Sequence, residues 1–466
     1  MSFLNLRLVF ITNLIILPFI ILTLPKPIVR PADLPASCHE LRPITTPAAG
    51  SPTKPHAERT YDVVIYGATG FTGRLAALYM QSAAPTGTTW AIAGRSQAKL
   101  DKMNAELEHP VPTVIADSSD EEAVRAMVES TRVIMTTVGP YVNYGSLVLG
   151  EAAKAGTHYL DLSGEFFWQA DMVELHHATA ASTGAKIVVA AGYDSVPFDL
   201  GALVATNALL EAHAKRPTQI TSVVTQMRGL ASGGTISAVV FMMQAMMKGQ
   251  FTLAQIFNPY LLVDDVDGCR VDSDPAGWSW ASLPRYDSGL SVLAIPHFMA
   301  WANARVVRRS LALAGSRNCS YGEGMSVGAM ADATGWVTSQ LVAGNMTLGD
   351  LAPSPGQGPP QPVLDNGGVK LTVQAAHADE LAYNTDTVVA TVAVTFAGDP
   401  GYAATSKMLV EGALCLADAK CHAGSALQGG VLTPATAMGT GLVGRLQAAM
   451  GGTFASFEVL PPAKSA

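Results

Sequence analysis

The sequence predicts an α/β fold of the Rossmann type, a doubly wound parallel sheet. Three observations carry this. An apolar, β-branched run, YDVVIY (Tyr61–Tyr66), feeds a GxxGxxG turn and then a helical stretch. Strand-like and helix-like segments then alternate as far as Gly201, the pattern of right-handed crossovers onto a parallel sheet. The chain's 466 residues exceed one compact core, so two domains plus tails are expected.

The chain opens on a hydrophobic stretch. Residues 9–24, VFITNLIILPFIILTL, are almost wholly apolar. At ~1.5 Å per residue they span roughly 24 Å, against a hydrocarbon core of ~30 Å. Counting from Leu4 gives enough length but takes in Asn5 and Arg7, and an arginine there can snorkel to the interface. Pro18 would kink such a helix without forbidding it. A signal peptide, an anchor and a partly inserted hairpin compete. The length, and the lack of an adjacent small-residue cleavage site, favour an anchor or membrane-embedded segment. Residues 31–58, rich in Pro, Ala, Ser and Thr, read as a linker. Residues 1–58 are thus a hydrophobic segment and linker ahead of the folded part.

The turn reads Gly67-Ala68-Thr69-Gly70-Phe71-Thr72-Gly73. Its glycines suit a tight bend, close approach of backbone to a pyrophosphate, and close helix–strand packing. The helix after it starts near Phe71 and aims its free N–H groups at the phosphates. The next strand, Trp90–Ala93, ends in Gly94-Arg95-Ser96. An NAD enzyme places an acid there to hold the ribose 2′-OH. A guanidinium and a hydroxyl suit a 2′-phosphate instead, so NADP, as NADPH, is the expected cofactor. Strand Pro112–Ala116 ends at Asp117, which borders the adenine side. Helix Glu121–Glu129 and strand Arg132–Thr137 follow, then the loop Val138-Gly139-Pro140-Tyr141 and helix Ser146–Ala155. That loop stands at the carboxyl end of a strand, where doubly wound sheets bind ligands. Thr157–Glu165 is a strand with its exit loop. Lys186–Gly201 is a strand, a loop and a helix opened by Asp199.

Composition narrows the function. Apolar residues make up 49% and charged residues 14% of the chain, which supports a large core and excludes wholesale disorder. A net charge of -8 with no basic stripe argues against a nucleic-acid partner. The five cysteines, Cys38, Cys269, Cys319, Cys415 and Cys421, show no CxxC and no zinc-like spacing, so no metal site is expected. They read as free or buried thiols of a reducing compartment.

The motifs GATGFTG, AGRS, VGPYVNYG, THYLDLSGE and GYDSVPFDLG, in that order, resemble the saccharopine dehydrogenase-like oxidoreductases, a group that includes the trans-acting enoyl reductases of lipid synthesis. The resemblance continues in LASGGTISA (Leu230–Ala238), ARVVRRS (Ala304–Ser310), GDPGYAATSKMLVEGALCLA (Gly398–Ala417) and GGVLTPATAMGTGLVGRL (Gly429–Leu446). It covers the chain from about Tyr61 onward. It implies a Rossmann domain over 59–200, a second α+β substrate domain over 201–397, and a C-terminal segment, 398–466, whose helices return to the Rossmann domain. Residues 352–368, rich in Pro and Gly, read as a flexible insert. Carried over to matching positions, the family's cofactor contacts fall on Gly67, Thr69, Gly70, Phe71, Thr72 and Gly73 at the phosphates. Arg95 and Ser96 lie on the adenosine side, with Gly139 and Pro140 near the nicotinamide ribose.

Hydride transfer needs a substrate held over the nicotinamide, often with a proton donor. Tyr141, His158, Glu165 and Asp194 stand near strand ends, and each also has a structural reading. Tyr141 would wall the cofactor, His158 would be a satisfied core histidine, Glu165 a helix cap, and Asp194 an Asx-turn residue. Arg305, Arg308 and Arg309 recur at helical spacing, as a solvated face or as a clamp for an acid. The stretch from Gly234 carries Met242, Met243, Met246 and Met247, which suit an adaptable apolar surface as well as ordinary packing. The expectation is an NADP-dependent oxidoreductase reducing a C=C or C=O in an apolar, lipid-like precursor. Residues 1–24 would tether it to the endoplasmic reticulum or a lipid droplet, with the catalytic part facing the cytosol. Two other readings stand beside it: a membrane- or lipid-droplet-associated nucleotide-binding protein without turnover, and a saccharopine dehydrogenase acting on amino acids in lysine metabolism.

Overall fold

The structure, a computed structural model, describes residues 55–230, 251–263 and 285–461, apart from 253–254, 257, 288–289, 298, 317–318, 352, 354–356 and 378–387. The hydrophobic run 9–24 and the methionine-rich stretch after Gly234 lie outside the described residues. Among the described residues no helix is long and apolar enough to cross a membrane.

The first half alternates as its sequence pattern requires. In chain order come β1 (Tyr61–Tyr66), α1 (Phe71–Ala83), β2 (Trp90–Gly94), α2 (Gln97–Asn104), β3 (Thr113–Ile115), α3 (Glu121–Glu129) and β4 (Thr131–Thr136). After them come α4 (Ser146–Ala155), β5 (His158–Leu160), α5 (Phe166–Thr183), β6 (Lys186–Val188) and α6 (Val196–His213). Val63, Val64 and Ile65 are wholly buried, as a strand covered on both faces demands. Asp120 caps α3 by accepting from the Ala123 N–H at 3.1 Å, which fixes that helix's start.

The second half gives β7 (Gln219–Arg228), β8 (Arg285–Asp287), β9 (Val292–Pro296), α7 (Ala300–Leu313), β10 (Ser320–Ser326), α8 (Val327–Val342) and α9 (Gln361–Asn366). It continues with β11 (Gly368–His377), β12 (Val388–Ala397), α10 (Thr405–Ala417), β13 (Gly430–Leu432), α11 (Pro434–Gly452) and β14 (Ala455–Leu460). Two seven-stranded sheets result. The first is parallel, ordered β13-β6-β5-β4-β1-β2-β3, with the order reversing between β4 and β1. The second is mixed, ordered β14-β12-β11-β7-β10-β9-β8, and α6 packs on its β11 and β12 strands. Val369, Leu371, Val373 and Ala375 alternate along β11 as buried residues, and Val392, Val394 and Phe396 do the same on β12. That period of two places one face against α6.

Several expectations need correction. The C-terminal segment divides instead of simply returning: β13 extends the first sheet and β14 closes one edge of the second. Helix α6 starts at Val196 and runs past the expected boundary at 200. Asp199 is no helix opener. It is buried in the first turn, where it accepts from Ser310 Oγ and from the Ala435 N–H (2.8 Å). Of the expected flexible insert, residues 361–366 form α9, because Val363 and Leu364 find a buried site. Arg305, Arg308 and Arg309 are neither a solvated face nor a clamp. All three are buried and donate to backbone carbonyls: Arg305 to Ile256 (2.8 Å) and Asn258 (3.1 Å), Arg308 to Tyr321 (2.7 Å), Arg309 to Val431 (2.6 Å). Finally, Cys415 and Cys421 form a disulfide while Cys319 is a buried thiol, so the thiol argument for a reducing compartment fails for that pair.

Candidate active site

The carboxyl ends of β1, β2, β4, β5 and β6 converge on one cleft. Its centre is the glycine turn. Gly67 takes φ +89°, and a Cβ there would lie 2.7 Å from Val138 Cγ2. At Gly73 a Cβ would fall 2.2 Å from the Gly67 carbonyl oxygen, so only glycine lets α1 pack this close. Gly70 differs: the nearest atom to a Cβ there is 3.4 Å away. It caps α1 without any side-chain hydrogen bond, and the first turn holds no acidic residue. The N–H groups of Thr72 and its neighbours are therefore left for an anion. Thr69 and Gly70 are exposed at the mouth, so these residues fit the pyrophosphate of a dinucleotide. Thr137, which the sequence did not single out, donates from Oγ1 to the Gly67 carbonyl (3.2 Å) and ties the β4 exit to the turn. Phe71 is held by the other domain: Tyr402 meets its ring edge-on at 5.4 Å, and a Cβ at Gly358 would lie 2.3 Å from it.

On the adenosine side the registers align Gly94 with Ile115, bringing Arg95, Ser96 and Asp117 to one strand-end cluster. Arg95 is exposed. Ser96 is the N-cap of α2 yet makes no side-chain cap bond, which leaves its hydroxyl open. The Ser119 backbone N–H (3.0 Å) and hydroxyl (2.7 Å) hold the Asp117 carboxyl below the usual range, and the Arg95 charge adds to this.

The opposite end of the cleft holds Gly139 and Pro140, joined by a cis peptide, and then a cluster of acids and phenols. Tyr141 is buried. Its hydroxyl donates to the Thr136 carbonyl (3.1 Å) and accepts from the Leu162 N–H (3.4 Å), and its ring lies against Trp168. Glu165 stands at the N-cap of α5 but makes no cap bond. Its carboxylate accepts from the N–H groups of Tyr141 (2.9 Å) and Gly164 (3.2 Å), and burial pushes it up to about 7. Asp161, missed from the sequence, accepts from Ser163 N, Ser163 Oγ, Tyr159 OH and Ala190 N, and burial raises it to about 6. It stitches the β5 and β6 exit loops together.

Asp194 is different. Its Oδ2 sits over Gly164, 3.3 Å from where a Cβ would be, and burial raises its carboxyl to about 6. None of the hydrogen bonds among the described residues reaches it, and the expected Asx bond does not form: the Ser195 and Val196 N–H groups go to the Gly192 carbonyl. Tyr193 beside it donates its N–H to Thr405 Oγ1 (2.9 Å) and its hydroxyl to Met227 Sδ (3.7 Å), so this loop touches both domains. The structure thus gathers Tyr141, Glu165 and Asp194 and excludes His158. His158 begins β5 at the far pole, buried between His56 and His422, and accepts at Nδ1 from the Lys186 N–H (3.1 Å). Among the described residues no His/Cys/Asp/Glu group has metal-holding geometry.

A family model described as the saccharopine dehydrogenase NADP binding domain matches residues 63–188, the segment that builds this cleft. A trans-acting enoyl reductase of Mycobacterium ulcerans is 33% identical over 431 residues, covering 84% of this chain and 96% of the relative. Another, from Mycobacterium leprae, is 32% identical over 425 residues, with 84% and 97% covered. The chain belongs to the saccharopine dehydrogenase-like oxidoreductases. A Mycobacterium tuberculosis relative, 34% identical over 420 residues (84% of this chain, 96% of the relative), carries the enoyl reductase name as a provisional assignment. Among solved structures, apo saccharopine dehydrogenase (L-Glu forming) from Saccharomyces cerevisiae is 11% identical with a TM-score of 0.48, covering 86% of this chain and 100% of that one. The protein is accordingly an NADP-dependent oxidoreductase, and its Rossmann half is the NADP-binding domain.

Proposed function

We propose that this oxidoreductase reduces an electron-poor C=C, or a C=O, in an apolar lipid-like precursor, with Asp194 as proton donor. The observation that carries the reading is the Asp194 carboxyl, which no hydrogen bond among the described residues reaches and which burial raises to about 6, at the pole of the cleft opposite the adenosine end. Gly67, Thr69, Gly70, Thr72 and Gly73 would hold the pyrophosphate of NADPH, with Arg95 and Ser96 on its 2′-phosphate. The bound cofactor supplies the hydride. Asp194 gives its proton to the atom left with the electron pair, so one hydride and one proton cross the double bond. Glu165 has both oxygens engaged by N–H groups and Tyr141 has its proton committed to Thr136, so these two shape the loops and leave the transfer to Asp194.

The names of the relatives support an enoyl substrate. The amino-acid reading loses its main support because the arginine cluster that would clamp carboxylates is spent on backbone carbonyls. The test is NADPH oxidation by the full chain with three substrates: a long-chain α,β-unsaturated acyl thioester, the matching ketone, and saccharopine with NADP in reverse. Turnover of either apolar substrate, lost in Asp194→Asn, is the expected result. Turnover of saccharopine alone, or full activity of Asp194→Asn, would overturn the proposal.

A further inference from the structure

We infer that Thr405 is a positioning residue for the reduction: its hydroxyl fixes the backbone beside Asp194 and so sets that carboxyl against the bound cofactor. The inference rests on the reading of Asp194 as proton donor.

A carboxyl that no hydrogen bond among the described residues reaches takes its place from its own backbone. After Asp194 the chain turns tightly, the Ser195 (3.2 Å) and Val196 (2.9 Å) N–H groups both going to the Gly192 carbonyl. Before it, Tyr193 donates its N–H to Thr405 Oγ1 at 2.9 Å. Thr405 is buried, and its hydroxyl has a fixed sense. The proton goes to the Pro400 carbonyl (2.9 Å), which can only accept, so a lone pair faces Tyr193. The fit is close on the loop side too. A Cβ at Gly192 would lie 3.0 Å from Thr405 Cγ2 and 3.3 Å from Leu162 Cβ, so glycine lets the loop come this near.

Thr405 is in turn held to the helix that the glycine turn opens. It is the first residue of α10, which packs along α1. Two contacts keep these helices in register. At the glycine turn, the rings of Tyr402 and Phe71 meet edge-on at 5.4 Å. Further along, Tyr79 of α1 donates to Glu411 of α10 (2.7 Å), whose second oxygen accepts from Arg445 of α11 (2.9 Å). The turn ahead of Thr405 is itself tied down, because Asp399 accepts from the Tyr402 N–H (2.8 Å) and the Leu230 N–H (2.9 Å). A line of contacts thus runs from the turn proposed to hold the pyrophosphate, through α10 and Thr405, to Asp194. Proton transfer is steep in geometry, and a misplacement of about 1 Å can cost on the order of a hundredfold in rate. Referring the acid and the cofactor to one helix pair keeps their separation constant.

The test uses the full chain and, of the three substrates named above, the one that the wild type turns over. Single-turnover rate and NADPH affinity are measured for Thr405→Val, Thr405→Ser, Asp194→Asn, and Asp194→Asn combined with Thr405→Val. Thr405→Val keeps the shape and loses the acceptor, so the rate should fall about ten- to a hundredfold while the Kd for NADPH stays within about twofold. Thr405→Ser keeps the oxygen and should recover most of the rate. In the Asp194→Asn background Thr405→Val should slow the reaction no further, because the residue acts through that carboxyl. If Thr405→Val fails to bind NADPH, Gly192→Ala takes its place. It presses on Thr405 from the loop side, and its rate should fall in the same way. A wild-type rate in the variant used, or an equal loss with and without the Asp194 carboxyl, overturns the inference and leaves Asp194 as donor. A wild-type rate in Asp194→Asn overturns the proton-donor reading and this inference with it.

Discussion

Replacing Asp194 by asparagine should make the protein more stable and far less active. The wild-type carboxyl rises from 3.8 to about 6 because burial penalises its charged form. A tenfold shift in acidity corresponds to ~1.4 kcal/mol, so carrying that charge at pH 8 costs about 3 kcal/mol, and residual solvent access at the cleft lowers this to about 2 kcal/mol. The sign follows from the raised folded-state value. Below about pH 4 the group is protonated whether the chain is folded or not, and Asp and Asn behave alike. Wild-type stability is then lost as pH rises through about 6, whereas the Asn variant keeps it. Thermal melts at pH 8 should place Asp194→Asn roughly 3 °C above the wild type, with the gap closing toward pH 4. Single-turnover reduction should fall on the order of a hundredfold or more, the usual contribution of a positioned acid. A variant that is less stable than the wild type at pH 8, or a gap independent of pH, would show that the carboxyl has a hidden partner and would refute the reasoning.

Three further outcomes are expected. Arg95→Ala should weaken NADPH binding about ten- to a hundredfold, since a charge-assisted hydrogen bond contributes ~1.5–3 kcal/mol, and should leave NADH binding nearly unmoved; equal loss of both in calorimetric titration would make Arg95 structural. Gly70→Val has room in the fold, so it should abolish nucleotide binding while the protein still melts cooperatively; Gly73→Val meets the Gly67 carbonyl and should lower the melting temperature as well. A chain begun at Pro55 keeps the His56 Nε2 bond to the Gly156 carbonyl (2.9 Å) and should bind NADPH in solution, while the full chain should resist carbonate extraction from membranes; a mobility shift of the full chain on N-glycosidase treatment would place the folded part in the lumen and reverse the proposed cytosolic orientation.

The glycine turn and its flanking elements were readable because they are local. A strand, a turn and a helix within about twenty residues carry their own periodicity and caps. The acids of the cleft were only half readable. Glu165 and Asp194 stood out as strand-end carboxylates, but nothing in the sequence says that the distant Tyr141 N–H joins the neighbouring Gly164 N–H on Glu165, or that no hydrogen bond among the described residues reaches Asp194. Thr137 was missed because its partner is the distant Gly67 carbonyl, and Asp161 because its bond to the Ala190 N–H joins loops far apart in the sequence. The arginines at 305, 308 and 309 show the limit of periodicity: helical spacing is identical for a wet face and a buried one, and only the carbonyls of Ile256, Tyr321 and Val431 decide. The segment around Val363 looked flexible by composition, yet two apolar side chains with a place to go were enough to order it.

The last sixty residues have a consequence for how the protein is made. β13 pairs with β6 at one edge of the first sheet, and β14 pairs with β12 at one edge of the second. Until the ribosome has released this stretch, β6 and β12 stand as sheet edges without the partners they take in the fold, the kind of template on which chains pair wrongly. Neither half of the molecule can reach its final form as it emerges. A chain stopped early, by a nonsense codon or a protease, would lose two distant seams at once, one in the cofactor-binding half and one in the half built on the second sheet.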